Sequence, residues 1–238
     1  MCGRYQLTRK SQHKVQTYYN IDSIQCLKNW EREYNIPPRT VVPIITQQDI
    51  QRIFHLGFWS MLHPRSKSLN DATKYYTFNA RIETVHQKST FKEALKKRRC
   101  IIPAEGFFEW IGPKGRKQPL HIRKKNQSFL SMAGLFNLLI PPDSNGQAIY
   151  TFTILTTKSS QWMARIHNRM PLILSDQQID LWLSSFSSLS EINQLLSSSP
   201  SPEFECNPVD GRILNSGIID TPECIVNIEP PLNSLFKQ

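Results

Sequence analysis

The sequence predicts an α+β fold: a single compact domain over residues 1–238, with a curved, barrel-like, mostly antiparallel sheet flanked by short helices. Three observations lead there. The apolar runs are short and bounded by Gly, Pro, Asn or Asp, as strands are. The helical stretches are brief and scattered among many short strands, which argues for a compact α+β domain with a curved or barrel-like sheet. The 238 residues, 39% hydrophobic and 10% aromatic, suffice for one sizeable core. No internal repeat is visible, and the Ser/Pro stretch from Ser197 to Pro202 is too short to separate two domains.

Taken in order, the chain first offers a helix from Thr8 to about Tyr19, with Thr8 as its cap and Val15, Tyr18 and Tyr19 on its apolar face. Asn35-Ile36-Pro37-Pro38 reads as a turn, because a residue before proline avoids the helical region. Val41–Thr46 and Arg52–Trp59 read as strands, and Met61–Asp71 as a polar loop. Phe91–Arg98 reads as a short basic helix. Strands are expected at Cys100–Pro103, Gly106–Trp110, Leu120–Arg123, Phe129–Phe136 and Ile149–Thr156. Gly112-Pro113-Lys114-Gly115 is a turn between two of them, and Pro141–Gly146 a surface loop. A helical turn at Gln161–Ile166 and a short strand at Pro171–Leu174 follow. Asp176 is expected to cap a helix to Leu183, and Ser188–Leu196 to form another. Late strands are expected at Phe204–Val209 and Ile225–Ile228.

Composition narrows the function classes. No apolar run is long enough to span a membrane, and the start lacks the pattern of a signal peptide. Five widely spaced cysteines without a CxxC pair argue against a disulfide framework or a zinc site, so a reducing, cytoplasmic setting and no metal or cofactor are expected. Lys and Arg outnumber Asp and Glu by 29 to 19, giving a net charge of +10, which favours a polyanion partner, nucleic acid first.

Four stretches carry groups suited to chemistry. In Met1-Cys2-Gly3-Arg4-Tyr5, removal of Met1 leaves a cysteine bearing both a free α-amine and a thiol. With ordinary pKa values of about 7.7–8.0 and about 8.5, a useful fraction of each is nucleophilic near neutrality. Such an amine forms an imine with an aldehyde, and the thiol then closes a thiazolidine ring. In Asn79-Ala80-Arg81-Ile82-Glu83, an extended backbone puts Asn79, Arg81 and Glu83 on one face, a cradle for phosphate or sugar oxygens. In Glu105-Gly106-Phe107-Phe108-Glu109-Trp110, Glu105 and Glu109 share a strand face beside aromatic rings, a setting that suits general acid–base work. In His167-Asn168-Arg169, His167 is a proton shuttle and Arg169 an anion partner. Basic clusters at Lys96–Arg99, Lys114–Lys117 and Arg123–Lys125 flank Phe107, Phe108 and Trp110, which are candidates to stack bases or to fill the core.

Together these motifs resemble the SOS-response-associated peptidase family of abasic-site processing proteins. Asn35 and Pro38 match a loop pattern of that family, and Asn207-Pro208-Val209 resembles its late strand. The resemblance implies that Cys2 forms a covalent thiazolidine with the aldehyde of an abasic site in single-stranded DNA, after autocatalytic or enzymatic loss of Met1. It implies that Asn79 positions the opened deoxyribose while Glu109 and His167 handle proton transfers. It implies DNA contacts from Arg4, Asn35, Pro38, Arg81, Trp110, Thr156 and Arg169. Glu105 stands where the family usually has Asp, which assigns the chemistry to Glu109. The protein is expected to act as a monomer, with weak lyase activity from the imine. Two rival readings stay open at this point: a cysteine peptidase using Cys2 and His167, and a non-covalent single-strand binder.

Overall fold

A computed structural model describes residues 2–23, 30, 32–73, 77–142, 145–198 and 202–228. Met1, Cys26 and parts of the expected loop at residues 141–146 and of the Ser/Pro stretch at residues 197–202 lie outside the described residues. The first half runs β1 (Tyr5–Gln6), α1 (Gln12–Tyr18), β2 (Ile21–Ser23), β3 (Val41–Gln48), β4 (Gln51–Trp59), β5 (Asn79–Arg81), α2 (Ser89–Lys97), β6 (Arg99–Ala104) and β7 (Gly106–Ile111). The second half runs β8 (Gln118–Lys124), β9 (Leu130–Leu139), β10 (Ile149–Lys158), β11 (Arg169–Pro171), β12 (Ile173–Leu174), α3 (Asp176–Leu183), α4 (Leu189–Ser198), β13 (Phe204–Pro208) and α5 (Gly211–Asn215).

Strands β4, β3, β6, β9 and β10 hydrogen-bond in that order, and β10 returns to β4, closing a five-stranded barrel. Only the closing pair, β10 with β4, is parallel within the barrel. The β3–β4 hairpin turns through Asp49 and Ile50, with Asp49 in the left-handed region at φ 53°. Gly134 lies where β9 is squeezed between β6 and β10: a Cβ there would sit 2.2 Å from Ile102 Cδ1 and 2.8 Å from the Thr153 carbonyl oxygen. The strand β6 is buried along its whole length, because one face looks into the barrel and α2 and α3 pack nearby.

A second sheet, in the order β1-β7-β8-β13, packs beside the barrel. Alternation along β7 sends Phe107 into the main core and Phe108 into a smaller cluster with Val209, Leu214 and Cys224. Both rings are fully buried, so they are core residues and do not stack bases. Arg99, expected in a basic surface cluster, is buried as well. Its guanidinium donates to the carbonyls of Leu95 and Lys96 at the end of α2, and of Trp182 and Ser184 at the end of α3. It thereby satisfies carbonyls that each helix leaves open at its C-terminus.

Several local expectations need correction. Thr8 precedes a 3-10 turn at Arg9–Ser11, and α1 itself begins at Gln12. Ser175, not Asp176, is the N-cap of α3, where its N–H donates to Gln178 Oε1 at 3.0 Å; Asp176 instead accepts the Tyr18 hydroxyl. The late strand at Ile225–Ile228 is a 3-10 turn at Pro222–Ile225 followed by one bridge from Asn227 to Val209. Proline at the start of that turn presets a helical φ. Among the described residues no helix is long and apolar enough to cross a membrane.

Candidate functional site

The N-terminal segment is clamped on two sides. Tyr5 pairs with Phe107 of β7, and its N–H and C=O bond to Ile36 on the other side. The Phe108 N–H donates to the Arg4 carbonyl at 2.9 Å. The Tyr5 ring meets Trp59 edge-on at 5.2 Å, and Trp59 Nε1 donates to the Phe78 carbonyl at 2.8 Å. One tryptophan thus ties the chain start to the approach of β5.

This clamp holds Cys2 in the interior. The sequence led us to expect an accessible, partly ionised thiol, but Cys2 is 0% exposed. Burial pushes its thiol far above the ordinary range, and the negative charge of Glu109 pushes it further. The Sγ donates to the Arg4 carbonyl at 3.8 Å. Asn79 Nδ2 donates to the Cys2 carbonyl at 2.8 Å. Asn79 Oδ1 is buried and has no hydrogen-bond partner among the described residues. Glu109 is 3% exposed, on β7 opposite Leu120. Three sequence candidates, Cys2, Asn79 and Glu109, therefore meet where the small sheet abuts β5.

Strand β10 gathers a second group. Its Ile154 pairs with Asn79 and its Thr156 with Arg81 on one side, while Thr156 pairs with Pro171 and Lys158 with Arg169 on the other. Arg81 is exposed. The extended backbone ends at Arg81, so Glu83 does not continue the expected face. Glu83 instead receives both Arg169 Nη atoms, at 2.6 and 3.0 Å, which hold its carboxyl below the usual range. Arg169 also donates to the Thr156 carbonyl and hydroxyl, and Thr156 is fully buried. Arg169 and Thr156 thus brace the strands around Asn79 and Arg81 rather than facing outward. His167 is half-buried beside them. Its Nδ1 lies 2.9 Å from the Arg169 backbone nitrogen and 3.1 Å from the Arg169 carbonyl oxygen, so both backbone groups of Arg169 hold the ring by this nitrogen.

The remaining candidates lie on the small-sheet side. Arg4 donates to Asn35 Oδ1 and to the Leu214 carbonyl. Asn35 is fully buried, and its Nδ2 donates to the carbonyls of Leu214 and Ile219, so it positions Arg4 instead of offering itself to a ligand. Pro38 is half-exposed in the turn before Arg39, which adopts φ 67°. Trp110 is half-exposed, with Nε1 donating to Asn215 Oδ1 at 3.0 Å. Glu105 is not on the Glu109 face. It sits in the bend before β7, where its carboxylate accepts the Thr8 N–H and the Thr8 and Ser11 hydroxyls at the start of the first helical turn. A carboxylate there satisfies open N–H groups, which removes it from the candidate chemistry. Sequence reasoning missed Asp220 and Arg32, which fasten the chain after α5 onto residues 33–35. Neither stands in a motif, and no periodicity marks them.

Comparisons with known proteins place the chain among relatives over most of its length. A family model described as SOS response associated peptidase matches residues 1–216. The abasic site processing protein YoqW of Bacillus subtilis is 35% identical, with 77% of this chain and 80% of that protein covered. The abasic site processing protein HMCES of Gallus gallus is 31% identical, with 96% of this chain and 78% of that protein covered. A crystal structure of a Bacteroides thetaiotaomicron protein superposes with a TM-score of 0.83 at 27% identity, covering 96% of this chain and 100% of that one. With the family model running from the first residue through α5, and relatives this similar over most of their length, the chain belongs to the SOS response associated peptidase family.

Proposed function

We propose that this protein captures abasic sites in single-stranded DNA through a covalent bond to Cys2, once Met1 has been removed. The observation that carries the reading is the meeting of Asn79 and Glu109 at Cys2, with Asn79 Oδ1 buried and open. A buried acceptor without a partner is costly unless a ligand completes it. A hydroxyl of the opened deoxyribose is such a ligand. The names of the relatives YoqW and HMCES support the same substrate.

The steps follow from the groups present. Loss of Met1 turns the Cys2 nitrogen from an amide into an amine. Glu109 takes a proton from that ammonium, and the free amine adds to the aldehyde carbon of the ring-opened abasic sugar. His167 relays a proton to the carbinolamine oxygen, which departs as water. Loss of one water gives the imine. The Cys2 sulfur adds to the imine carbon, and its proton passes to the nitrogen, closing the thiazolidine. Burial keeps the thiol protonated, which orders the events: the amine attacks first and the sulfur second. Before ring closure the imine acidifies the neighbouring C2′–H, so a minor strand cleavage by β-elimination accompanies capture. Arg4 and Arg81 are the cations that hold flanking phosphates, with Pro38 and Trp110 beside the strand.

The test is a denaturing gel with purified protein lacking Met1 and an abasic single-stranded oligonucleotide. A heat- and denaturant-resistant shifted band is expected, absent with Cys2→Ala and with any peptide fused ahead of Cys2. An undiminished band from Cys2→Ala sinks the proposal. Steady turnover of an unrelated peptide, lost in Cys2→Ser, would favour the peptidase reading instead.

A further inference from the structure

The chain after β13 forms an arm over the small sheet, and its tip, residues 217–220, lies beyond the stretch that the family model matches. The arm rests on the cluster of Phe108, Val209, Leu214 and Cys224. It reaches three side chains expected at the DNA: Arg4 donates to the Leu214 carbonyl at 3.2 Å, Asn35 to that of Ile219 at 3.0 Å, and Trp110 to Asn215 Oδ1 at 3.0 Å.

The tip is fixed rather than loose. Arg32 donates to the carbonyls of Gly217, Ile218 and Ile219, at 2.9, 3.4 and 3.2 Å. The Asp220 carboxylate accepts the backbone N–H groups of Glu33, Tyr34 and Asn35, at 2.8, 2.9 and 2.7 Å. Gly217 turns the chain at φ 70°, 3.6 Å (measured from a Cβ built there) from an Arg4 Nη. On this pinned turn Ile218 is 85% exposed. Its backbone is held by Arg32, so the side chain projects from a fixed position one residue along from Gly217, which lies near Arg4. A cation one residue along the turn from a projecting apolar side chain matches a nucleotide strand, where phosphates need charge and base faces need apolar contact.

We propose that Ile218 is a base-contacting residue: it packs against the nucleobase that flanks the abasic nucleotide and so sets which sugar of the strand enters the Cys2 site. This rests on the abasic-strand reading above, and the test separates the two. Abasic single strands are compared in which the flanking nucleotides either carry bases or are tetrahydrofuran mimics without them. For each, the protein concentration giving half-maximal adduct is measured, together with non-covalent affinity by fluorescence anisotropy on strands with a reduced, unreactive abasic site. The wild type is expected to favour base-bearing flanks by about fivefold, the size of one modest apolar contact. Ile218→Ser is expected to lose that preference and Ile218→Leu to keep it, with melting temperatures unchanged because the side chain is exposed. Full preference retained in Ile218→Ser overturns the proposal. So does concentration-dependent self-association that Ile218→Ser abolishes while leaving the preference intact, which assigns the tip to a second copy of the chain. A wild type that forms no adduct with any strand defeats the covalent reading alone, and the anisotropy arm still decides the role of Ile218.

Discussion

Glu109 acts on Cys2 in two opposite directions. Its charge raises the thiol's pKa, and in the proposed chemistry it frees the amine. Glu109→Gln keeps the shape and removes the charge. The thiol should then titrate lower, seen as faster alkylation at a given pH, while adduct formation slows by roughly 10²-fold, the usual size of a lost general base. If adduct formation speeds up along with alkylation, Glu109 only tunes the sulfur and is not the base. Cys2, Asn79 and Glu109 were legible because each stands in a dense polar motif. Glu105 was not. By residue pattern it is equivalent to Glu109; the family resemblance favoured Glu109, and the return of Thr8 and Ser11 to the Glu105 carboxylate gives the physical reason. Asn35 was misread for the same reason: its amide is taken by carbonyls from the far end of the chain.

Strand β8 carries a group that ties the small sheet to pH. His121 is 4% exposed, lies against Phe108 with ring centroids 5.0 Å apart, and has a buried Nε2 without a partner among the described residues. Gly106 leaves it room, since a Cβ there would sit 2.2 Å from that nitrogen. Burial, aided by the Arg123 charge, lowers its pKa from 6.5 to about 4. The unfolded chain therefore binds a proton at a higher pH than the folded one. The stabilisation is present above the unfolded value and is lost as pH falls toward the folded value. Stability should drop by about 2 kcal/mol between pH 7 and pH 5 from this group alone. Urea titrations at the two pH values check it, and His121→Gln should show a smaller drop. An equal drop in the variant means that other groups are responsible. Among the elements, the long strands were plain from their apolar runs and turn residues. The one-turn helix α5 was not, because Gly211 reads as a breaker and the turn depends on the Asp210 carboxylate accepting the Arg212 N–H at 2.8 Å.

The net charge of +10 belongs to the molecule as a whole. Non-covalent binding of undamaged single strands should weaken with salt, with a log–log slope of about −0.7 per phosphate neutralised. An adduct formed at low salt should persist when salt is raised afterwards. Release of that adduct by salt would mean that no covalent bond had formed. Charge was readable without a structure. A barrel-like sheet was expected too, but not which strands close it, since closure depends on the parallel pairing of Tyr150, Thr151 and Phe152 with Gly57, Phe58 and Trp59. No local pattern specifies a partner so distant along the chain.

The sequence by itself determined the α+β class, most strand positions, the basic balance and the motifs that hold Cys2, Asn79, Glu109 and His167. These depend on local periodicity, turn chemistry and residue type, which are written in neighbouring residues. Only the tertiary structure decided that Cys2 is buried, that Glu105 and Asn35 are structural, that Arg169 is paired with Glu83, and that the arm after β13 brings Gly217 near Arg4 and leaves Ile218 exposed. Each of those depends on burial or on a hydrogen bond between distant segments, and neither exists until the chain has closed on itself.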